Sequence, residues 1–308
     1  MFKHILVILG ETAKPDLPVS HAIALAEAFG SRLTVLQLPE CSEASGRSKR
    51  PTFKYVKASS HHYRQLQMVS NLLQEKAIGG LHVETRNSLE SGISFVLRSE
   101  ADLIVLPDPK NDLKPGILDC GLEILNHCQI STLIVRPRRN PMQGHQNLYE
   151  RILVPIRLSS SDVTILPYAS ELAGVFNSHL VFARVLTPPY EDDLIHSEGT
   201  QITSLKQRLD ETERFLEQRL KPKNVPYNLC IFPGSSLING IYSLAESENV
   251  DLIALRAHGP LSVRDHPQQS LLSHLIANGT RSLLLIQGRR SRPARALKEK
   301  AQLKENKS

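Results

Sequence analysis

His4-Ile5-Leu6-Val7-Ile8 returns as Arg151-Ile152-Leu153-Val154-Pro155, 147 positions further along the chain. The same shift carries Leu25-Ala26 onto Leu172-Ala173, Phe29 onto Phe176, and Ser31-x-Leu33 onto Ser178-x-Leu180. Ser88-Leu89-x-x-Gly92-Ile93 returns as Ser236-Leu237-x-x-Gly240-Ile241 at a shift of 148. Ala101-Asp102-Leu103-Ile104 matches Val250-Asp251-Leu252-Ile253 at 149, and Thr132-Leu133-Ile134 matches Ser282-Leu283-Leu284 at 150. A period of this length is too long for a solenoid unit and suits a whole domain. The slow drift of the shift implies two homologous domains that differ by small loop insertions.

Each repeat alternates short apolar strands with helical stretches. In the first, Ile5 to Leu9 reads as a strand buried on both faces, and Val19 to Phe29 has helical spacing through Ile23, Ala26 and Phe29. Strands over 33–38, 81–85, 103–107 and 132–136 follow, with helices over 60–76, 89–99 and 117–127. The second repeat predicts strands near 152–156, 180–185, 227–232, 251–255 and 282–286. Its helix over about 200–221 sets Ile202, Leu205, Leu209, Leu216 and Leu220 on one face. Five strands alternating with four helices imply an α/β fold. It comprises two consecutive doubly wound, five-stranded parallel-sheet domains forming a pseudo-symmetric pair. The divisions expected are a first domain over 1–137, a linker over 138–150, a second domain over 151–288 and a basic, disordered tail over 289–308. Segments 39–57 and 187–199 interrupt the pattern and read as mobile loops.

Composition excludes several classes. No run of about 18 uncharged apolar residues exists to span a membrane, and Met1-Phe2-Lys3-His4 leads into too short an apolar run for a signal peptide. Cys41, Cys120, Cys128 and Cys230 have neither metal-site spacing nor matching positions between repeats, so free thiols in a reducing cytoplasm are expected. The net charge of +6 is carried by the tail, whose eight basic residues face only Glu299 and Glu305, leaving the rest neutral. Such a tail reads as a solvated terminus and not as a specific nucleic-acid surface. His61-His62 point about 100° apart on a helix and cannot share one metal. Ser235-Ser236 read as a helix cap. Asp102 and Asp251 recur, but they precede the fourth strand, at the end of the sheet away from any ligand crevice, and read as structural. No catalytic constellation recurs, so no enzyme activity is expected.

With the strands placed, the chain resembles the universal stress protein family in its tandem form. The resemblance rests on the opening Ile-Leu-Val strand, the Leu-Ala-x-x-Phe-x-Ser-x-Leu helix–strand unit, the Asp-Leu-Ile-x-Leu fourth strand and a Leu-Ile-Val-like fifth strand. It spans nearly all of 3–137 and 151–287 and implies a Rossmann-like domain of the adenine nucleotide alpha hydrolase-like type. It also implies pairing of fifth strands, here between Leu133-Ile134-Val135 and Leu283 to Ile286 within one chain or in a homodimer.

Many members bind ATP with an Asp ending the first strand and a Gly-x-x-Gly, nine-residue, Gly-Ser/Thr loop after the fourth. Glycines let backbone N–H groups approach phosphate oxygens, and the helix N-terminus adds a favourable dipole. Against that pattern, the first repeat has Gly10, Leu106, Pro109, Asp119 and Cys120. Pro107 and Pro109 remove donors, and Asp108 and Asp112 add negative charge, so this repeat is not expected to bind nucleotide in the family's mode. The second repeat keeps Gly259 and Ser270 but has Arg157 for the Asp, Arg256 for the first glycine and Gln269 for the third. Arg157, Arg184 and Arg256 end adjacent strands, with His258 two residues on. One reading is a basic cup for phosphate, an altered nucleotide pose (ATP or AMP) or a carboxylate metabolite. The other pairs these arginines with Glu191, Asp192, Asp193 or the partner domain's acidic loop. The functions expected are, first, a non-enzymatic cytoplasmic stress-response or regulatory protein acting through protein partners, with no cofactor. A sensor of a nucleotide or other anion, and an accessory module of a membrane transporter, are the alternatives.

Overall fold

The computed structural model describes residues 1–10, 15–38, 82–85, 89–108, 128–137, 148–156, 162–186, 198–220, 224–233, 236–257 and 267–287. The helices expected over 60–76 and 117–127, the loop over 39–57 and the tail over 289–308 lie outside these residues. The first repeat supplies β1 (His4–Leu9), α1 (Asp16–Phe29), β2 (Arg32–Gln37), β3 (His82–Thr85), α2 (Leu89–Arg98), β4 (Leu103–Pro107) and β5 (Ser131–Val135). The second supplies β6 (Arg151–Pro155), α3 (Asp162–Phe176), β7 (His179–Leu186), α4 (Glu198–Leu220), β8 (Tyr227–Pro233), α5 (Leu237–Ser247), β9 (Leu252–Ala257), α6 (Pro267–Asn278) and β10 (Ser282–Gln287).

The two five-stranded sheets form one. Its order is β3-β2-β1-β4-β5-β10-β9-β6-β7-β8, parallel within each repeat, with β5 and β10 antiparallel at the centre. Leu283 faces Ile134, Leu284 faces Leu133 and Leu285 faces Thr132. Ser282 Oγ accepts from Arg136 N at 3.1 Å, and Ser131 Oγ accepts from Gln287 N at 3.1 Å, so the two ends of the seam are closed alike. Strand residues alternate between two apolar layers. One holds Ile5, Val7, Leu103, Ile152, Val154 and Leu252 beneath α1, α3 and α4. The other holds Leu6, Ile8, Ile104, Leu153, Ile253 and Leu283 beneath α2, α5 and α6. Burial on both faces is why these strands read as continuous apolar runs.

The recurring residues are the joints of this scaffold. Asp102 Oδ2 accepts the backbone N–H groups of Lys3 (2.9 Å) and His4 (3.2 Å), and Asp251 Oδ2 those of Glu150 (2.7 Å) and Arg151 (3.0 Å). Ser31 Oγ donates to Phe2 O and Ser178 Oγ to Tyr149 O. A Cβ on Gly92 would stand 2.6 Å from Leu38, and one on Gly240 3.0 Å from Val185, so each glycine lets a helix close on the end of the second strand. Helix α1 ends on Gly30 at φ +61°, and α3 on Asn177 at φ +49°, the residue types that tolerate this turn.

Aromatic residues lace the repeats together. Phe2 packs on Phe29 of its own repeat and Tyr168 of the other, and Tyr149 packs on Phe176 of its own repeat and His21 of the other. His21 Nδ1 lies 2.7 Å from Tyr149 Oη. At the start of β1, buried His4 holds Ser99 O through Nδ1 (2.7 Å) and Thr34 Oγ1 through Nε2 (2.8 Å), beside Arg32. The second repeat exchanges the pair, with Arg151 opposite His179.

Asp251→Ala orphans two strand N–H groups and is expected to cost about 1–3 kcal/mol in urea unfolding. Asp102→Ala should cost a similar amount, and the double variant the sum within about 0.5 kcal/mol. Burial, helped by Arg32, holds the His4 pKa below its usual 6.5. The unfolded chain therefore takes up the proton first. His4's contribution is full above 6.5 and is lost as pH falls through the depressed folded value. His4→Gln should flatten the acid limb of the stability–pH curve, measured by urea midpoints at and below neutrality.

Candidate functional site

The carboxyl ends of β9, β6 and β7 carry the second repeat's candidate residues. Leu252 is level with Ile152, and Ile152 with Leu180. Continuing that register four residues puts Arg256, Ile156 and Arg184 in one row, on the face beneath α3 and α4. Two strand spacings separate the arginines, about 10 Å between Cα atoms. Ile156 between them is buried and apolar, and α3 begins at this end of the sheet, with its N-terminal dipole directed there. In the first repeat the same row is Gln37, Leu9 and Pro107, which corrects the expected correspondence: Pro107, and not Leu106, stands at the place of Arg256, because Leu106 points to the other face of the sheet. The row that is neutral in the first repeat is doubly cationic in the second, on an otherwise repeated frame.

The two arginines differ in how they are held. Arg184 Nη1 donates to Thr212 Oγ1 of α4 at 2.8 Å, and Thr212 is fully buried. This tie leaves Arg184 positioned by the helix layer above it. Arg256 is half-buried, and its Nε is buried with no hydrogen-bond partner among the described residues. A buried guanidinium N–H without an acceptor is costly, and an anion oxygen would satisfy it.

The other candidates are divided. Arg157, His258 and Gly259 lie outside the described residues, as do Glu191, Asp192 and Asp193. Ser270 lies in the first turns of α6, which packs on the face opposite the arginine row. Among the described residues no cluster of three or more His, Cys, Asp or Glu could hold a metal. Burial pushes the Cys128 thiol up to about 12, and burial followed by Glu248 raises Cys230, so neither is an activated nucleophile.

The expectation that Asp108 turns negative charge toward the first repeat's crevice needs correction. Arg136, at the end of β5, donates through Nε to Asp108 Oδ1 at 3.1 Å, and both are buried. The charge is neutralised inside the fold. Neither Arg136 nor Thr212 was singled out from sequence. Thr212 does interrupt the apolar stripe of α4 between Leu209 and Leu216, which was the available signal. Arg136 stands where the second repeat has Gln287, so the seam corrects the expected match of Thr132 to Ser282 by one residue: Ser131 is the counterpart of Ser282, and Leu133 of Leu284.

No family model matches the sequence, and no curated protein matches it. Solved structures do match the fold. A universal stress protein from Archaeoglobus fulgidus DSM 4304 is 14% identical, with 92% of this chain and 98% of that one covered at a TM-score of 0.58. A functionally unknown protein from Pseudomonas aeruginosa PAO1 is 14% identical, with 92% of both chains covered at a TM-score of 0.61. The chain thus has the universal stress protein fold, a Rossmann-like α/β unit, in tandem form. No helix among the described residues is long and apolar enough to cross a membrane.

Proposed function

We propose that this is a non-enzymatic stress-response or regulatory protein that acts through protein partners, with its first repeat serving as scaffold. One observation carries the reading: the charged residues at the carboxyl ends of β4 and β5 are spent on each other. Asp108 and Arg136 form a buried pair where a nucleotide-binding repeat would need free donors. The whole-length likeness to a protein named as a universal stress protein supports the stress-response part.

A second reading is favoured by a separate observation, the unsatisfied Nε of Arg256 in a row with Arg184. On this reading the second repeat senses an anion, a phosphate group or a carboxylate, bound by charge-assisted hydrogen bonds. Gly259 and Ser270 would add donors from the loop side. Arginine at the place of the family's first loop glycine obstructs close backbone approach, so binding is expected to favour the anion itself over the whole of ATP.

Thermal unfolding with millimolar phosphate, AMP or ATP tests both readings. The sensor reading predicts that phosphate raises Tm, by about 2–4 °C for each kcal/mol of binding free energy, and that Arg256→Ala removes the rise. If none of the three raises Tm and Arg256→Ala changes nothing, the sensor reading is lost and the partner reading stands alone. A rise specific to ATP and much larger than that for phosphate would contradict the proposed loss of the family's nucleotide mode.

A further inference from the structure

We infer that the open edge of β8 is a docking site for an extended segment of a partner protein that carries lysine or arginine at alternate positions. The inference rests on the partner reading proposed above and names the surface it uses. The ten-stranded sheet has two edges, β3 and β8. β3 is four residues long and includes His82 and Glu84, the short and charged kind of edge that resists strand pairing. β8 has seven residues, Tyr-Asn-Leu-Cys-Ile-Phe-Pro, and no charge.

One hydrogen bond fixes the direction of its free groups. Leu180 N donates to Pro226 O at 3.0 Å, so Pro226 turns toward β7. Successive residues of a strand turn their backbone groups to opposite sides. Asn228, Cys230 and Phe232 therefore serve β7, while Tyr227, Leu229 and Ile231 turn outward. Their three N–H and three C=O groups have no partner among the described residues. Prolines at 226 and 233 bound this row without interrupting it. Tyr227 to Phe232 are half-buried or exposed, whereas Val181, Phe182 and Ala183 of the neighbouring β7 are buried. An added strand pairs the outward row and covers the apolar margin of Leu229, Ile231 and Phe232.

Charge selects the occupant. Tyr227 packs edge-on against Phe182 at 5.7 Å, on the face that α4 covers. Burial, then Glu217 and Glu213 of α4, raise its pKa, which places both carboxylates over the edge strand. Both are exposed, and helical spacing sets Asp210 and Lys206 on the same flank. Three carboxylates and one ammonium leave this flank net negative. On the opposite face Glu248, near Cys230, is already paired with Arg151. Basic side chains therefore belong on the α4 face of the incoming strand, and alternation puts apolar ones beside Cys230 and Phe232. The same charges disfavour a second copy, because two-fold pairing of β8 with itself lays one acidic flank against another.

Amide hydrogen exchange on the full chain tests this, with a capped seven-residue peptide of alternating lysine and valine as the probe. At about four times its Kd, the peptide should slow exchange of the Tyr227, Leu229 and Ile231 amides about fivefold. A glutamate–valine counterpart should leave them unchanged, as should a lysine–valine peptide N-methylated throughout, which keeps its charge but cannot pair as a strand. Glu213→Gln combined with Glu217→Gln should weaken lysine–valine binding about threefold or more and leave the urea midpoint in place. No protection at millimolar peptide, protection confined to other strands, or equal binding of the N-methylated peptide would each overturn the docking site. Protection of the same amides that grows with chain concentration, without peptide, would overturn it by giving the edge to a second copy. An ATP-specific rise in Tm bears on the partner reading and not on these amides, so the two can fail separately.

Discussion

The antiparallel pairing of β5 with β10 is the constraint on which the rest of the molecule depends. Left alone, each five-stranded sheet would end in an apolar strand with an unpaired row of backbone donors and acceptors, an edge that invites aggregation. Pairing the two edges satisfies those backbone groups and makes Leu133, Ile134, Val135, Leu283, Leu284, Leu285 and Ile286 part of the two continuous apolar layers on the faces of the sheet, where all are buried. Because the pairing is antiparallel, the strands of the two repeats run in opposite directions. The two carboxyl-end crevices therefore lie at opposite ends of one sheet. The start of β1 meets α3 of the other repeat, and the start of β6 meets α1, which is why Phe2 finds Tyr168 and Tyr149 finds His21.

Much of this was legible in the residues themselves. The described strands fall within a residue or two of their expected places, because burial on both faces leaves an unbroken apolar signature. Phe29, Ser31, Gly92 and Asp102 recur at corresponding positions, and each recurrence proves to be a joint: an aromatic contact, a strand tie, a close helix approach, a double N–H clamp. These contacts are made within one repeat, so their partners travel with them in the sequence. The contacts made across the seam were not legible. Arg136 serves carbonyls 140 and 145 residues away, and no periodicity within a repeat announces that. The split of the candidate site was hidden for a related reason. Spacing put Ser270 near the arginines, but it does not say on which face of the sheet the helix returns.

The two repeats have diverged where ligands would be met and have been kept where the scaffold is joined. The first repeat spends its strand-end charges on the Asp108–Arg136 pair and on the far end of α6. Where the first has a neutral row the second has Arg184–Ile156–Arg256, and Arg256 Nε, like the Nε atoms of Arg151 and Arg281, is buried without an acceptor among the described residues. On the sensor reading proposed above, a division of labour follows, with one repeat bracing the fold and the other binding the anion. It depends on the seam, because only the seam brings Arg136 within reach of the second repeat's helix.

The central claim is that the seam makes the ten strands one cooperative unit. Hydrogen exchange followed through a urea series tests it most directly, by comparing β1–β2 with β6–β7, which lie toward opposite edges of the sheet. The account predicts that both regions lose protection at one urea midpoint, and that Ile134→Ala lowers that midpoint for both together. Two separate midpoints, with Ile134→Ala moving only that of the first repeat, would contradict it.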